Sequence, residues 1–252
     1  VANLYYREEL SAAEFVSGAE LEVVGDEAHH AVRVSRLRVG EHIMLGNGAG
    51  SLGLGEVIAA DKQRFVVRLA EVQQVPSPRQ RITLVQALAK GDRDERAVEQ
   101  ATEFGIDAIQ PWGAARSVSR WAPGEKTERG VAKWQRIARE AAKQSLRPWT
   151  PDVLAPTTLA ELAQHASREG SEVLVLHPRG LGTLSGWAAV CLTQEVRDLF
   201  LVVGPEGGFD DSELEALDTA GAQILTLGST VLRTSSAGPA GLAVLNMVLG
   251  RW

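Results

Sequence analysis

The sequence predicts two unlike parts: a small β-barrel over residues 1–73 and an α/β domain over residues 79–252. Three observations lead there. Up to about residue 73, short segments alternate apolar and polar residues between turn-formers such as Gly25-Asp26 and Asp61-Lys62, the pattern of closely spaced strands in a small barrel. The stretch Gln73-Gln74-Val75-Pro76-Ser77-Pro78 is polar, and each proline pushes its predecessor out of the helical region and removes a donor, so it reads as an extended linker. Beyond it, apolar runs alternate with segments of helical period, the signature of an α/β domain.

In the first part, strands are expected at 19–24, 42–45, 53–59 and 64–72. One helix is expected over 27–37, with Ala28, Ala31, Val32 and Ser35 on one side and Arg33, Arg36 and Arg38 on the other side and the following turn. The second part should hold strands at 82–88, 106–111, 172–177, 199–203 and 222–227. Helices should cover 92–104, 128–147, 158–168, 187–192, 212–220 and 236–249. Pro239 fits the last helix only if it falls in the first turn.

The bulk numbers limit the function classes. With 252 residues and 44% hydrophobic content the chain can bury a real core. Its net charge is −6, yet residues 90–147 carry twelve Lys/Arg against nine Asp/Glu, while residues 148–252 carry five against twelve. A polyanion should therefore meet the middle or the N-terminal part. The single cysteine, Cys191, excludes an internal disulfide framework and a cysteine-based zinc site. There is no hydrophobic signal core and no apolar run of membrane-spanning length. The expectation is a soluble cytoplasmic protein.

Two glycine-bearing turns carry the strongest signal. Leu201-Val202-Val203 runs into Gly204-Pro205-Glu206-Gly207-Gly208-Phe209, and a second apolar strand runs into Leu227-Gly228-Ser229-Thr230-Val231-Leu232-Arg233. A backbone without Cβ atoms lets a ligand lie against the main chain, and open α/β sheets bind ligands at the carboxyl ends of their strands. A glycine pair alone reads equally as an ordinary strand-to-helix turn. Two such turns in one domain favour a ligand site.

Other motifs carry less. Gly48-Ala49-Gly50-Ser51-Leu52-Gly53 satisfies G-x-G-x-x-G, but Leu54-Gly55-Glu56-Val57-Ile58 after it alternates like a strand. A dinucleotide fingerprint needs a helix there, so the glycines read as a hairpin. His29 and His30 diverge by about 100° on a helix and have no partner cluster at metal-ligand spacing, so no metal is expected. Arg136, Arg139, Lys143 and Arg147 recur at three- and four-residue steps, opposite Val131, Trp134, Ile137, Ala138 and Ala141. Such a stripe is either the wet face of an amphipathic helix or, with Lys90, Arg93, Arg116, Arg120 and the Arg33/Arg36/Arg38 group, a footprint for phosphates. There is no G-x-S-x-G elbow, no Cys/His pair and no P-loop. What remains is chemistry on an already activated ligand, with the protein supplying positioning and proton management.

The chain resembles the ribosomal RNA small-subunit methyltransferase E group of the SPOUT superfamily. The matching stretches are His29-His30-Ala31-Val32-Arg33-Val34-Ser35-Arg36-Leu37-Arg38-Val39-Gly40, Gln86-Ala87-Leu88-Ala89-Lys90-Gly91 and Ala101-Thr102-Glu103-Phe104-Gly105-Ile106. Further on they are Trp134-Gln135-Arg136-Ile137-Ala138 with Ala141-Ala142-Lys143-Gln144-Ser145 and Arg147, then Leu176-His177-Pro178, Val203 through Gly208, and Leu227-Gly228 through Thr234. The resemblance implies a PUA-type RNA-binding barrel followed by a SPOUT domain with a trefoil knot. It also implies a homodimer that methylates N3 of a uridine in 16S rRNA. S-adenosylmethionine would lie against Leu176, His177 and Pro178, against Val203, Gly204, Glu206 and Gly207, and against Leu227, Gly228, Val231 and Leu232. RNA contacts would fall to Arg33, Arg36, Arg38, Lys90, Arg116, Arg136, Arg139, Lys143 and Arg147. Loss of the uracil N3 proton would be eased by a cation, with Arg233 first and Arg7 or Arg116 behind it. Glu206 is expected either to accept the proton or to orient the cofactor. The family commonly carries Thr-Glu-Thr-Ala where this chain has Thr234-Ser235-Ser236-Ala237, so no role for that glutamate carries over; Ser235 is expected to cap the last helix instead. The rival expectation is a non-catalytic RNA-binding ribosome-assembly factor, which would need no paired glycine turns.

Overall fold

The computed structural model describes residues 3–192 and 195–252. It divides into two compact units, Val1–Ser77 with Ala142–Thr150, and Pro78–Ala141 with Pro151–Trp252.

The N-terminal unit is built on strands β1 (Leu4–Tyr6), β2 (Glu20–Val24), β3 (His42–Gly46), β4 (Ser51–Ala60) and β5 (Arg64–Gln74), in the order β1-β3-β4-β5-β2. The small barrel takes the form of this curled sheet, with β1 paired parallel to β3 and the remaining pairs antiparallel. Its core joins Tyr5, Phe15, Val23, Ile43, Leu45, Val57, Phe65, Val67 and Leu69. Ala28, Ala31 and Leu37 pack into the same core. The expected helix at 27–37 is shorter and earlier: α1 (Gly25–His29) runs into a π-type turn at His30–Val34. Gln73 and Gln74, read as linker, are the end of β5.

The Gly48-x-Gly50 motif is the β3–β4 hairpin, and packing explains its glycines. Gly50 has φ +98°, and a Cβ there would sit 2.5 Å from the Val75 carbonyl oxygen and 2.7 Å from the Trp149 ring. Trp149 belongs to the segment Ala142–Thr150, which docks on this unit through Trp149 Nε1 donating to Val75 O at 2.9 Å and Tyr6 Oη donating to Arg147 O at 2.6 Å.

The second unit is a three-layer α/β structure on an all-parallel sheet. Its strands are β6 (Arg81–Ala87), β7 (Ala108–Trp112), β8 (Asp152–Val153), β9 (Ser171–Leu176), β10 (Gly182–Thr183), β11 (Asp198–Val203) and β12 (Gln223–Thr226), ordered β10-β12-β9-β11-β6-β7-β8. Successive strand side chains point to opposite faces. Leu199, Leu201 and Val203 therefore join one core with Leu84, Leu174 and Leu176, against α2 (Arg93–Glu103), α3 (Glu125–Gln144), α5 (Leu184–Cys191) and α7 (Thr234–Val248). Phe200 and Val202 join the other core with Val85, Val173 and Val175, against α4 (Leu159–Ala166) and α6 (Asp211–Thr219). Buried apolar runs of this kind suit a sheet covered on both faces.

Two helices differ from expectation in ways that matter. α3 starts after Gly124 (φ +89°) and stops before Leu146 (φ +56°), three residues early at each end relative to 128–147. α7 begins at Thr234 rather than 236, which moves Pro239 out of the first turn and into the helix. Arg233 occupies the N-cap without a side-chain bond, so Ser235 does not cap this helix. α7 lies close on the sheet through Gly238 and Gly241, where a Cβ would meet Leu84 at 2.7 Å and Leu201 at 3.0 Å. Among the described residues no helix is long and apolar enough to cross a membrane.

Candidate functional site

β12, β9 and β11 are neighbours in the parallel sheet, so their carboxyl ends emerge side by side. A cavity of about 570 Å³ opens there, within the size range of small-molecule sites. Every residue predicted to hold the cofactor lines it, from Leu176, His177 and Pro178 after β9, through Val203, Gly204, Glu206 and Gly207 after β11, to Leu227, Gly228, Val231 and Leu232 after β12. Pro205, Gly208 and Phe209 beyond β11, Thr226 at the end of β12, Thr230 and Arg233 beyond it, Arg93 of α2, and Thr234 and Ala237 of α7 complete the lining.

The turn after β11 is fastened residue by residue. Trp112 Nε1 donates to Val203 O at 3.1 Å, and the Thr234 hydroxyl donates to Gly204 O at 2.7 Å while accepting from Gln86 Nε2 at 2.9 Å. Gly208 N donates to Pro205 O at 2.9 Å, and Arg116 Nη1 reaches Gly207 O at 3.4 Å. Gly204 is required by space: a Cβ there would lie 2.8 Å from the Phe209 ring. That ring packs against Trp112 and His177, with centroids 5.6 and 5.9 Å away. Past the turn, Asp210 caps α6 in a reciprocal box with Glu213. Glu213 is buried and also accepts from Ala115 N at 2.7 Å, fixing the 113–117 loop beside the site.

The loop after β12 is different. The main chain of residues 228–232 makes no backbone hydrogen bond, and a Cβ on Gly228 would meet nothing within 4 Å. Val231 and Leu232 hold exposed apolar side chains along it. These peptide groups are available to read a ligand edge.

The charged groups divide by restraint. Glu206 Oε1 accepts from Arg93 Nη1 at 2.6 Å and Lys90 N at 3.1 Å. Burial pushes its carboxyl up, but the bonds from Arg93 and from backbone N–H groups prevail and hold it below the usual 4.5. Its bonds to Arg93 and Lys90 N give it the geometry of an orienting group. Arg233 lines the cavity, is exposed, and its side chain makes no hydrogen bond or ion pair with a described residue. Arg7 does not line the cavity; it belongs to the N-terminal unit, where it pairs with Glu9 at 2.6 Å. His177 Nδ1 accepts from Arg179 N at 3.2 Å, and burial, then the Arg179 charge, holds its pKa below 6.5 against the opposing pull of Asp211.

The residues expected to face RNA do not form one uniform stripe. Arg33, Arg36 and Arg38 are exposed on the N-terminal unit, as are Lys90, Arg116 and Arg136 on the other. Arg139 pairs with Glu140 at 3.0 Å. Lys143 departs from the expectation: its ammonium lies 2.9 Å from Glu27, with both side chains about nine-tenths buried, because Glu27 also accepts from Tyr6 N and holds the docked 142–150 segment. Arg147 is half-buried and offers its carbonyl to Tyr6. The wall residues Arg93, Gly208, Phe209, Thr230 and Thr234 were outside the predicted cofactor set. Their neighbours in the glycine turns were the available signal for all but Arg93, which reaches the site from another helix.

Comparison with known proteins agrees with this geometry. The family model for RNA methyltransferase domains matches residues 75–246, and that for RNA methyltransferase PUA domains matches residues 25–70. The ribosomal RNA small subunit methyltransferase E of Mycobacterium bovis is 40% identical over 255 aligned residues, covering 100% of this chain and 94% of that protein. The chain belongs to the ribosomal RNA small subunit methyltransferase E family. The Bacillus subtilis member of the methyltransferase E family is 28% identical across 91% of this chain and 90% of its own. A Legionella pneumophila protein described as a methyltransferase, solved with bound S-adenosylmethionine, superimposes with TM-score 0.82 at 28% identity over 98% of each chain. The Neisseria gonorrhoeae methyltransferase E shares the fold, with TM-score 0.83 at 24% identity over 98% of each chain.

Proposed function

We propose that this chain transfers the methyl group of S-adenosylmethionine to N3 of a uridine in 16S rRNA of the small ribosomal subunit. The observation that carries this reading is a cavity walled by three turns at parallel strand ends, with the guanidinium of Arg233, unpaired among the described residues, on its wall. The residues suit the cofactor. Its volume is accommodated, residues 228–232 offer unpaired peptide groups, Leu176 and Val203 give apolar surface, and Glu206 is held anionic where a cationic ligand group would enter. The bound cofactor supplies an electrophilic methyl group.

The remaining demand falls on the chain's own residues. The uracil N3–H must be lost, its proton passing to solvent water, and negative charge then grows on the ring; formation of the N3–methyl bond would break the methyl–sulfur bond and leave a neutral thioether. Arg233 places fixed positive charge beside that ring, usually a large catalytic contribution. Glu206, restrained by Arg93 and Lys90 N, orients the cofactor rather than taking the proton. In folded rRNA the target base must leave its stack, at a cost of a few kcal/mol, and the exposed arginines offset this through phosphate contacts. On the same reading the protein is a cytoplasmic homodimer whose C-terminal segment passes through a trefoil knot, and the N-terminal unit grips the RNA.

Incubation with small subunits or 16S rRNA and S-adenosylmethionine, followed by mass mapping, tests the reading. It predicts one N3-methyluridine with the native chain and about 100-fold less with Arg233→Ala at unchanged cofactor affinity. Native turnover in Arg233→Ala removes that residue from the scheme. Binding of RNA without any affinity for S-adenosylmethionine leaves the assembly-factor alternative.

A further inference from the structure

Arg116 and Arg179 both bond to the first turn of α6. Arg116 Nη2 lies 3.3 Å from Asp210 Oδ2, and its Nη1 reaches the Gly207 carbonyl. Arg179 Nη2 bonds to Asp211 Oδ1, while its backbone N–H donates to His177 Nδ1. Gly207, His177 and Pro178 line the cavity, so both arginines border its wall without lining it.

The carboxylates account for themselves. Asp210 caps α6 through Ser212 N and the Ser212 hydroxyl, and Asp211 sits in the first turn, where negative charge suits the helix dipole. The arginines do not. Their side chains are 48% and 66% exposed, and exposed ion pairs contribute about 0–1 kcal/mol each. Each guanidinium has five N–H donors in the planar fork that fits an oxyanion, and the side-chain bonds engage two nitrogens of Arg116 and one of Arg179. Without them the rim would present Asp210 and Asp211 uncompensated and would repel a polyanion.

We propose that Arg116 and Arg179 form a binding site for two backbone phosphates of the RNA, flanking the nucleotide that enters the cavity. This deepens the function proposed above and rests on it. An oxyanion at this rim has two sources, an RNA phosphate or the carboxylate of the cofactor. The site is assigned to RNA because neither arginine lines the cavity and each is tied to the start of α6 by a carboxylate, Asp210 at the N-cap and Asp211 in the first turn.

The test compares Arg116→Ala, Arg179→Ala and the double variant for binding of transcribed 16S rRNA across salt concentrations, with calorimetry of S-adenosylmethionine alongside. The double variant should bind rRNA about tenfold more weakly near 0.1 M salt, with the log–log salt slope reduced by about 1.4, or about 0.7 for each single variant. Cofactor affinity should stay within about twofold of native, and Arg179→Lys should restore most of the slope. Unchanged rRNA affinity and slope would overturn the proposal, as would a fall in cofactor affinity, which gives the arginines to the cofactor carboxylate. If the double variant misfolds, the slopes of the single variants decide. A native chain that methylates 16S rRNA beside variants that bind it normally sinks this inference alone; a native chain with no transfer sinks the function itself.

Discussion

Residues 203–208 are each fastened by a hydrogen bond or ion pair, whereas residues 228–232, on the same cavity, have none. One wall is set before a ligand arrives. The other keeps its peptide groups free, so a ligand that bonds them is expected to order it. Stability and binding are therefore coupled in the first wall and separable in the second.

Substitutions at the two glycines separate these cases most strongly. Gly204→Val drives a side chain into the Phe209 ring and should cost about 2–3 kcal/mol of stability and lower cofactor affinity roughly 100-fold, read by denaturant unfolding and calorimetry. Gly228→Ala has open space around its Cβ in the free protein. It should leave unfolding unchanged yet weaken the cofactor about tenfold, since the methyl stands where the ligand meets main chain. A loss of stability at Gly228, or binding retained at Gly204, breaks the contrast.

Thr234→Val sharpens it. The hydroxyl joins the half-buried Gly204 O to Gln86 Nε2, and both Thr234 and Gln86 are buried. Its loss should cost about 1–3 kcal/mol of stability, with a smaller fall in cofactor affinity than at Gly204.

The smallest effect is on pH. Burial and the Arg179 charge depress the His177 pKa, so in the window below 6.5 the unfolded chain binds more protons than the folded one. Stability then rises with pH across that window, and the contribution is lost as pH falls through the lowered value. His177→Gln should flatten this segment of the stability–pH curve; an unaltered slope assigns the dependence elsewhere.

What the sequence revealed follows the same division. The unbroken apolar run Leu199-Phe200-Leu201-Val202 marked a buried strand, which the structure covers on both faces, and glycines at strand ends marked the cavity. These signals are local. β1 was missed because Leu4-Tyr5-Tyr6 is three residues long and becomes a strand only through pairing with β3. The docking of residues 142–150 depends on Trp149 meeting Val75 and Gly50, and on Glu27 taking Lys143, contacts without a periodic trace. That made Lys143 look like part of an open basic face. The start of α7 was placed two residues late because Thr234 is recruited by Gly204 and Gln86, 30 and 148 residues away.

Amide hydrogen exchange with and without saturating S-adenosylmethionine tests the central claim most directly. The account predicts slow exchange at Gly208 in both states, and at 228–232 fast exchange that becomes markedly protected when the cofactor is added. Protection unchanged at 228–232 under saturating cofactor would contradict it.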